Sequence, residues 1–245
     1  MGFFVIIVAA GNGTRFNNSN NERILPKQYI KINRKPIIKI SVEKFLQNEK
    51  IDKIIIVIRP IDEQLIKNIF KKEIKSEKIF ITYGGDERIN STTNGLLYIK
   101  QKFPNQCKYV MIHDSARPLV TDKIINDSIN KIQNSDFDGI FPAIGINDAL
   151  KNIHNHQIRS VDRNEYLITQ TPQTFRFDKI LNCITSHNDL KKNPKMTHDE
   201  IMFVEQYDCI IGHIHGCKQN IKITTQDDLE LVKFLIKKNK RQNIT

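Results

Sequence analysis

The chain opens on a run of apolar residues, Phe3 to Val8, and similar runs recur at Lys53 to Ile58, Ile79 to Tyr83, Tyr109 to His113 and Gly139 to Ile144. These runs are continuous instead of alternating with polar positions, which is how strands buried on both faces read. Between them apolar residues return at helical spacing: Ile37, Ile40, Phe45 and Leu46; Leu65, Ile66 and Ile69; Leu96, Leu97 and Ile99; Ile124, Ile125, Ile129 and Ile132. Pro36 and Asp122 stand near the starts of two of these helices. Strand alternating with helix predicts an α/β fold built on a single doubly wound, mostly parallel sheet.

From Gly145 to Tyr166 this pattern fails, and short polar pieces alternate with single apolar residues. Such a stretch suits a β-arm protruding from the sheet over about residues 145–166, a feature that often contacts a second subunit. The chain then returns through Gln170-Thr171-Pro172-Gln173, a helix near Arg176 to Ser186, a strand near Cys209 to His215, a strand at Asn220 to Thr224 and a last helix from Asp227 to about Lys238. No repeat or linker interrupts it, so residues 1–245 read as one domain.

Charge narrows the range of ligands. Thirty-eight Lys and Arg against 27 Asp and Glu give a net charge of +11, which attracts anions without choosing among nucleotides, sugar phosphates, nucleic acid and acidic lipid. The eight residues from Phe3 to Ala10 fall far short of the ~20 that span a bilayer, no basic segment precedes them, and Ile6 stands where an N-myristoylation motif wants Ser or Thr. A cytoplasmic protein with no membrane partner is expected. Cys107, Cys183, Cys209 and Cys217 form no C-x-x-C pair and read as reduced thiols. Cys209, His213, His215 and Cys217 can be counted as four zinc ligands, but ligands strung along one face of a strand cannot close a tetrahedron. The basic tail Lys237, Lys238, Lys240 and Arg241 reads as a solvated helix end whose cations complement the macrodipole.

Candidate chemistry gathers where strands end. The first strand runs into Ala9-Ala10-Gly11-Asn12-Gly13-Thr14-Arg15, followed by Pro26-Lys27-Gln28. Glycines let backbone N–H groups approach phosphate oxygens, Ala9 and Ala10 leave room for a nucleotide, and Arg15 and Lys27 supply charge. The ending of a P-loop is missing, and Phe16 stands where G-x-G-x-x-G has its third glycine, so an ordinary βα turn is the competing reading. Gly84-Gly85-Asp86-Glu87-Arg88 with Ser91 offers short polar contacts to a base and ribose, or a plain turn and helix cap. His113-Asp114-Ser115-Ala116-Arg117-Pro118 ends the fourth strand, with His113 read as a satisfied, partly buried side chain. All three blocks fall at the carboxyl ends, where doubly wound sheets bind ligands. Asp162-Arg163, Thr171 and Asn220-Ile221-Lys222-Ile223-Thr224 complete the set, with Asn220, Lys222 and Thr224 sharing one face of the last segment.

Taken together and in this order over residues 6 to 235, these blocks, with Asp162-Arg163-Asn164 and Gln170-Thr171-Pro172-Gln173-x-Phe175, resemble the 2-C-methyl-D-erythritol 4-phosphate cytidylyltransferases. The resemblance implies a Rossmann-like nucleotidyltransferase that moves a cytidylyl group from CTP to the polyol phosphate, releases pyrophosphate, uses Mg²⁺ held mainly by the CTP phosphates, and works as a homodimer with interlocking arms. It implies that Arg15 and Lys27 serve the transferring phosphoryl group, and that Ala9, Ala10, Gly11 and Gly13 hold CTP with Gly85, Asp86 and Ser91. Asp114, Arg117, Thr171, Lys222 and the partner subunit's Arg163 would hold the acceptor, Lys222 and Arg163 as catalytic cations. This chain departs from the family at Asp148-Ala149-Leu150-Lys151, where the family carries Asp-Thr-x-Lys, and around Thr197 and His198, where the family carries Thr-Asp-Asp/Glu. Ala149 keeps a ribitol 5-phosphate cytidylyltransferase as the alternative. A basic nucleic-acid-binding protein, from another class, has only the charge in its favour: the chain lacks Trp and an aromatic-rich RNA-binding strand.

Overall fold

The computed structural model describes residues 2–11, 16, 25–186 and 199–242. The first apolar run forms β1 (Gly2–Val8), and a small ribbon of β2 (Lys31–Ile32) and β3 (Lys35–Pro36) leads into α1 (Ile37–Leu46). The alternation then continues through β4 (Ile51–Ile58), α2 (Glu63–Ile69), α3 (Lys71–Lys75), β5 (Ile79–Tyr83), α4 (Arg88–Lys102), β6 (Cys107–Asp114), α5 (Asp122–Gln133) and β7 (Gly139–Gly145). After it come β8 (Leu150–His154), β9 (Gln157–Val161), β10 (Leu167–Thr169), β11 (Gln173–Arg176), α6 (Phe177–Ser186), α7 (Glu200–Val204), β12 (Ile211–His215) and α8 (Gln226–Gln242).

The main sheet has the order β10-β7-β11-β6-β1-β4-β5. β1 lies between β4 and β6, parallel to both, with Ile7 level with Ile56 on one side and His113 on the other. Phe3, Val5 and Ile7 point into one core with Val42 and Phe45 of α1 and the isoleucines of α5, while Phe4 and Ile6 point into a second core with Leu96 and Ile99 of α4 and Ile180 of α6. Two apolar layers explain why β1 shows no polar alternation: Val5, Ile6 and Ile7 are all fully buried. The chain moves outward from β1 to β4 and β5 and then returns to the other side as β6, so the strand order reverses between β1 and β6. Ligands of such sheets bind at the carboxyl ends around that reversal.

Three features differ from the sequence expectation. β11 is a strand, antiparallel to both β6 and β7 and inserted between them, with Gln173 and Thr174 fully buried. The segment Asn220 to Thr224 is not a strand. The alternation of its side chains survives, since Ile221 and Ile223 pack in a third cluster with Phe16, Ile32 and Val232, but the backbone bond to the core is Ile223 N–H to the Ala116 carbonyl, 2.9 Å. Two helical segments, α3 and α7, also went unread. Beyond β7 the excursion is a hairpin of β8 and β9, paired from Leu150 opposite Val161 to His154 opposite Gln157. Asn155 and His156 turn it with φ of 47° and 64°, the left-handed pair that tight hairpins use. Ile153 and Ile158 face each other across the arm, 71% and 67% exposed.

The four cysteines are free thiols; Cys183 and Cys209 lie 3.6 Å apart, and burial, aided by that contact, pushes the Cys183 thiol up to about 12. Among the described residues no helix is long and apolar enough to cross a membrane.

Candidate active site

A cleft of about 660 Å³ opens over the carboxyl ends of β1, β4, β5 and β6. Its floor is backbone. Ala9, Ala10 and Gly11 leave β1, and Gln28, 2% exposed, donates from Nε2 to the carbonyls of Ala9 at 2.8 Å and Gly11 at 3.2 Å. The Pro-Lys-Gln block therefore clamps the start of the glycine loop. On the same clamp, Lys27 lines the cleft and donates to the Ile223 carbonyl at 2.7 Å, next to Lys222. Gly85, Asp86 and Ser91 form the opposite wall; Ser91 is 2% exposed and its hydroxyl accepts from the Gly85 N–H at 3.2 Å, bracing the turn.

Close packing fixes this wall. A Cβ on Gly84 would lie 2.4 Å from the Ala10 Cβ and 2.6 Å from the Ser91 hydroxyl oxygen. Gly84→Ala must push the β5 turn away from the β1 loop, and its expected effect is a rise of about tenfold or more in the dissociation constant for a ligand held in this cleft, measured by calorimetry.

A second cavity of about 130 Å³ adjoins the first, and Arg88, Asp114 and Lys222 line both. Asp114, at the end of β6, is the hub of this shared wall. Its Oδ1 accepts from Arg88 Nε at 3.2 Å, and its Oδ2 meets Lys222 Nζ at 2.9 Å and Arg117 Nε at 3.3 Å. Burial alone would push this carboxyl up, but Lys222, Arg88 and Arg117 together hold it well below the usual carboxylate range. Arg117 also donates to the Asn220 carbonyl at 2.8 Å, and Asn220 in turn donates to the Thr171 carbonyl at 2.9 Å. The residues of the Asn220 to Thr224 segment are thus tied to the site by side chains in place of a ladder.

Beneath the hub runs a buried relay. The Asp114 N–H donates to Thr171 Oγ1 at 3.3 Å, Thr171 lies 2.9 Å from His113 Nδ1, and His113 Nε2 lies 3.1 Å from the Arg117 carbonyl. A carbonyl can only accept, so Nε2 carries the proton and Nδ1 accepts from Thr171. Burial, opposed by the Asp114 charge and the Arg117 carbonyl, lowers His113 to about 4, so the ring is neutral at pH 7. His113 is a satisfied structural link that is fully buried instead of partly so.

The structure gathers Ala9, Ala10, Gly11, Lys27, Gly85, Asp86, Ser91, Asp114 and Lys222 around the larger cavity and Arg117 and Thr171 with Asp114 and Lys222 around the smaller. Gly13 and Arg15 lie outside the described residues, as do Thr197 and His198. Arg163 lines neither cavity of its own chain; it sits after the arm and donates to the Asn147 carbonyl. Ala149 is exposed just before β8. Sequence reasoning missed Gln28 and Arg88, although both stand inside motifs it singled out. It also missed Arg59, which lines the cleft while holding Asp62 through Nε at 2.7 Å and Nη2 at 2.8 Å, and Glu200, which follows Thr197 and His198 where the family carries Thr-Asp-Asp/Glu but was given no role.

Among the described residues no three His, Cys, Asp or Glu side chains gather to hold a metal ion. Asp114 is already compensated by three cations, which leaves Asp86 and Glu87 as the other carboxylates of the cleft. A divalent ion fits here through phosphate oxygens that a ligand brings with it and not through a protein cage.

Two cavities that meet across one cation-bearing wall, at the reversal point of a Rossmann-like sheet, suit a phosphate donor and a phosphate acceptor, and the fold and this pairing define a nucleotidyltransferase. Residues 3–238 match the family model for 2-C-methyl-D-erythritol 4-phosphate cytidylyltransferase (IspD). The chain is 33% identical over 243 residues to the enzyme of that name from Clostridioides difficile, covering 99% of this chain and 97% of the relative, and 36% identical over 236 residues to one from Clostridium botulinum strain Loch Maree, covering 96% and 97%. Among solved structures, the 4-diphosphocytidyl-2C-methyl-D-erythritol synthase of Anaerococcus prevotii superposes with a TM-score of 0.80 at 27% identity, covering 96% of each chain. The cytidylyltransferase of Francisella tularensis does so with a TM-score of 0.74 at 27% identity, covering 96% of this chain and 99% of that one. The chain belongs to the 2-C-methyl-D-erythritol 4-phosphate cytidylyltransferase family. The ribitol 5-phosphate alternative is not favoured by these matches.

Proposed function

We propose that this enzyme transfers the cytidylyl group of CTP to 2-C-methyl-D-erythritol 4-phosphate, releasing pyrophosphate, as a step of isoprenoid precursor synthesis. The observation that carries the reading is the wall of Arg88, Asp114 and Lys222 common to both cavities, with Lys27 beside it. A phosphate monoester oxygen of the acceptor attacks the α-phosphorus of CTP, and the bond from that phosphorus to the bridging oxygen of the pyrophosphate breaks. Two anions must approach while charge grows on the leaving group, so alignment and charge neutralisation are the catalyst and no covalent nucleophile is needed. Lys27 neutralises the transferring phosphoryl group, with Arg15 as its second cation. Ala9, Ala10, Gly11 and Gly13 receive the triphosphate, and Gly85, Asp86 and Ser91 face the nucleoside. Lys222 and Arg117, gathered by Asp114, hold the acceptor phosphate and hydroxyls, while Thr171 supports them from below. Mg²⁺, carried on the triphosphate, supplies further neutralisation of phosphate charge.

The proposal includes a cytoplasmic homodimer without a nucleic-acid partner, in which the exposed Ile153 and Ile158 of one arm bury against the other copy and the partner subunit's Arg163 reaches the acceptor. Arg163→Ala is therefore expected to raise the KM for the acceptor by about tenfold or more and to leave that for CTP within about twofold, read from steady-state kinetics. Equal damage to both constants rejects the arm's role. The central test is CTP-dependent pyrophosphate release with the two polyol phosphates compared side by side. Release with methylerythritol phosphate supports the reading, and release with ribitol 5-phosphate alone overturns it.

A further inference from the structure

Behind the shared wall stands a buried acid that touches neither cavity. Glu200, at the start of α7, is 0% exposed, and its Oε1 accepts from Arg88 Nη1 at 2.5 Å and from Thr92 Oγ1 at 2.6 Å. Its backbone N–H, with that of Ile201, donates to Gln173 Oε1 at 3.0 and 3.1 Å, so β11 anchors the turn that carries it. Its other oxygen, Oε2, is buried without a hydrogen-bond partner among the described residues. A carboxylate so deeply buried and only half satisfied is a poor device for stability alone. Its neighbour Asp199 caps α7 through the Met202 N–H at 2.9 Å and lines the smaller cavity.

Arg88 joins this acid to the hub. One edge of its guanidinium holds Glu200 and another holds Asp114 Oδ1, and planar guanidinium geometry allows the two carboxylates little relative rotation. With Oδ1 fixed, Oδ2 is turned to the side on which Lys222 and Arg117 both meet it. From this arrangement we infer that Glu200 is a positioning residue for the transfer, acting through Arg88 to set the Asp114 carboxylate on which the acceptor-side cations converge. The role rests on the proposed reaction and adds to it a residue outside both substrate pockets. Glu200 also balances the charge of Arg88, so that Asp114 is left to orient the other two cations instead of being consumed by the first.

Glu200→Gln keeps the size of the side chain and an acceptor for Thr92 while removing the charge. In the full chain it is expected to raise the acceptor KM by about tenfold, to leave the CTP KM within about twofold, and to melt below the parent while staying folded, because Arg88 loses a buried charged partner and keeps Asp114. Paired with Lys222→Ala, it should add less than it costs alone, because the two changes act in part through one carboxylate and only the share carried by Arg117 remains. Arg88→Lys, which retains charge but cannot bridge two carboxylates, carries the same prediction should Glu200→Gln fail to fold. An unchanged acceptor KM in either variant, an equal rise in both constants, or multiplicative losses in the double variant overturn the inference. If the parent chain releases no pyrophosphate from CTP with methylerythritol phosphate, the proposed reaction falls and this role falls with it. If the parent is active and the variants behave like it, the positioning role alone fails.

Discussion

Lys27→Ala is expected to lower kcat by about 10²–10³ while leaving the fold and most of the affinity for CTP intact. The lysine follows Pro26 at the mouth of the cleft, and its amine lies 2.7 Å from the Ile223 carbonyl, beside the segment that carries Lys222. That bond orients the amine toward the segment that carries Lys222. Its loss costs about 1 kcal/mol of stability, too little to unfold the chain. The glycine loop and the Gly85 turn remain to bind the nucleotide, because Gln28, not Lys27, clamps the loop. The charge matters most when the acceptor's phosphate oxygen approaches and negative charge builds on the departing pyrophosphate, so the loss appears in turnover. Steady-state kinetics alongside a thermal melt separate the two effects. An unchanged kcat removes the central assignment.

The parts of this fold that were legible in the sequence are those whose burial is a property of the element itself. β5 was read to the residue, and α1 and α5 nearly so, because a strand between two helical layers is apolar throughout and a helix on a sheet shows one stripe. β11 was not legible, since Gln173-Thr174-Phe175-Arg176 looks polar until β6 and β7 close on either side and take up its backbone groups. The opposite error befell Asn220 to Thr224, where perfect alternation suggested a ladder. Its alternation instead serves Ile221 and Ile223 on the third cluster and Lys222 on Asp114, and the chain then enters α8 through a reciprocal Thr225 and Asp228 cap. In the site, glycines and cations at strand ends were readable because their chemistry is local. The role of Glu200 was not, because the irregular Thr197-His198-Asp199-Glu200 stretch only hints at the family's acidic pair and nothing local shows that its partner is Arg88, 112 residues away.

Removing the charge of Asp114 should have the largest combined effect on stability and activity. Asp114→Asn leaves Arg88, Arg117 and Lys222 crowded around a neutral, buried amide, and breaking a buried ion pair from one side commonly costs about 3–5 kcal/mol. The same change frees Lys222 and Arg117 from their common anchor, so acceptor binding is lost along with stability, while the Gly85 side of the cleft is untouched. The pH dependence distinguishes this carboxylate from its neighbours. Asp114 ionises in the unfolded chain near the ordinary value of about 3.9 and in the fold well below it, so its contribution is complete above that value and is lost as pH falls beneath it. His113 acts in a different window: its folded value of about 4 lies below the ordinary ~6.5, so stability declines as pH falls from 6.5 toward 4, where the unfolded chain takes up a proton that the buried ring refuses. Denaturant melts as a function of pH should therefore show the parent losing stability in both windows. Asp114→Asn should keep the decline between pH 6.5 and 4, start from a lower plateau, and lose the steeper fall below it. A variant with an unchanged plateau and an unchanged acid limb would mean that the three cations do not depend on Asp114, and the charge hub at the centre of the site would have to be abandoned.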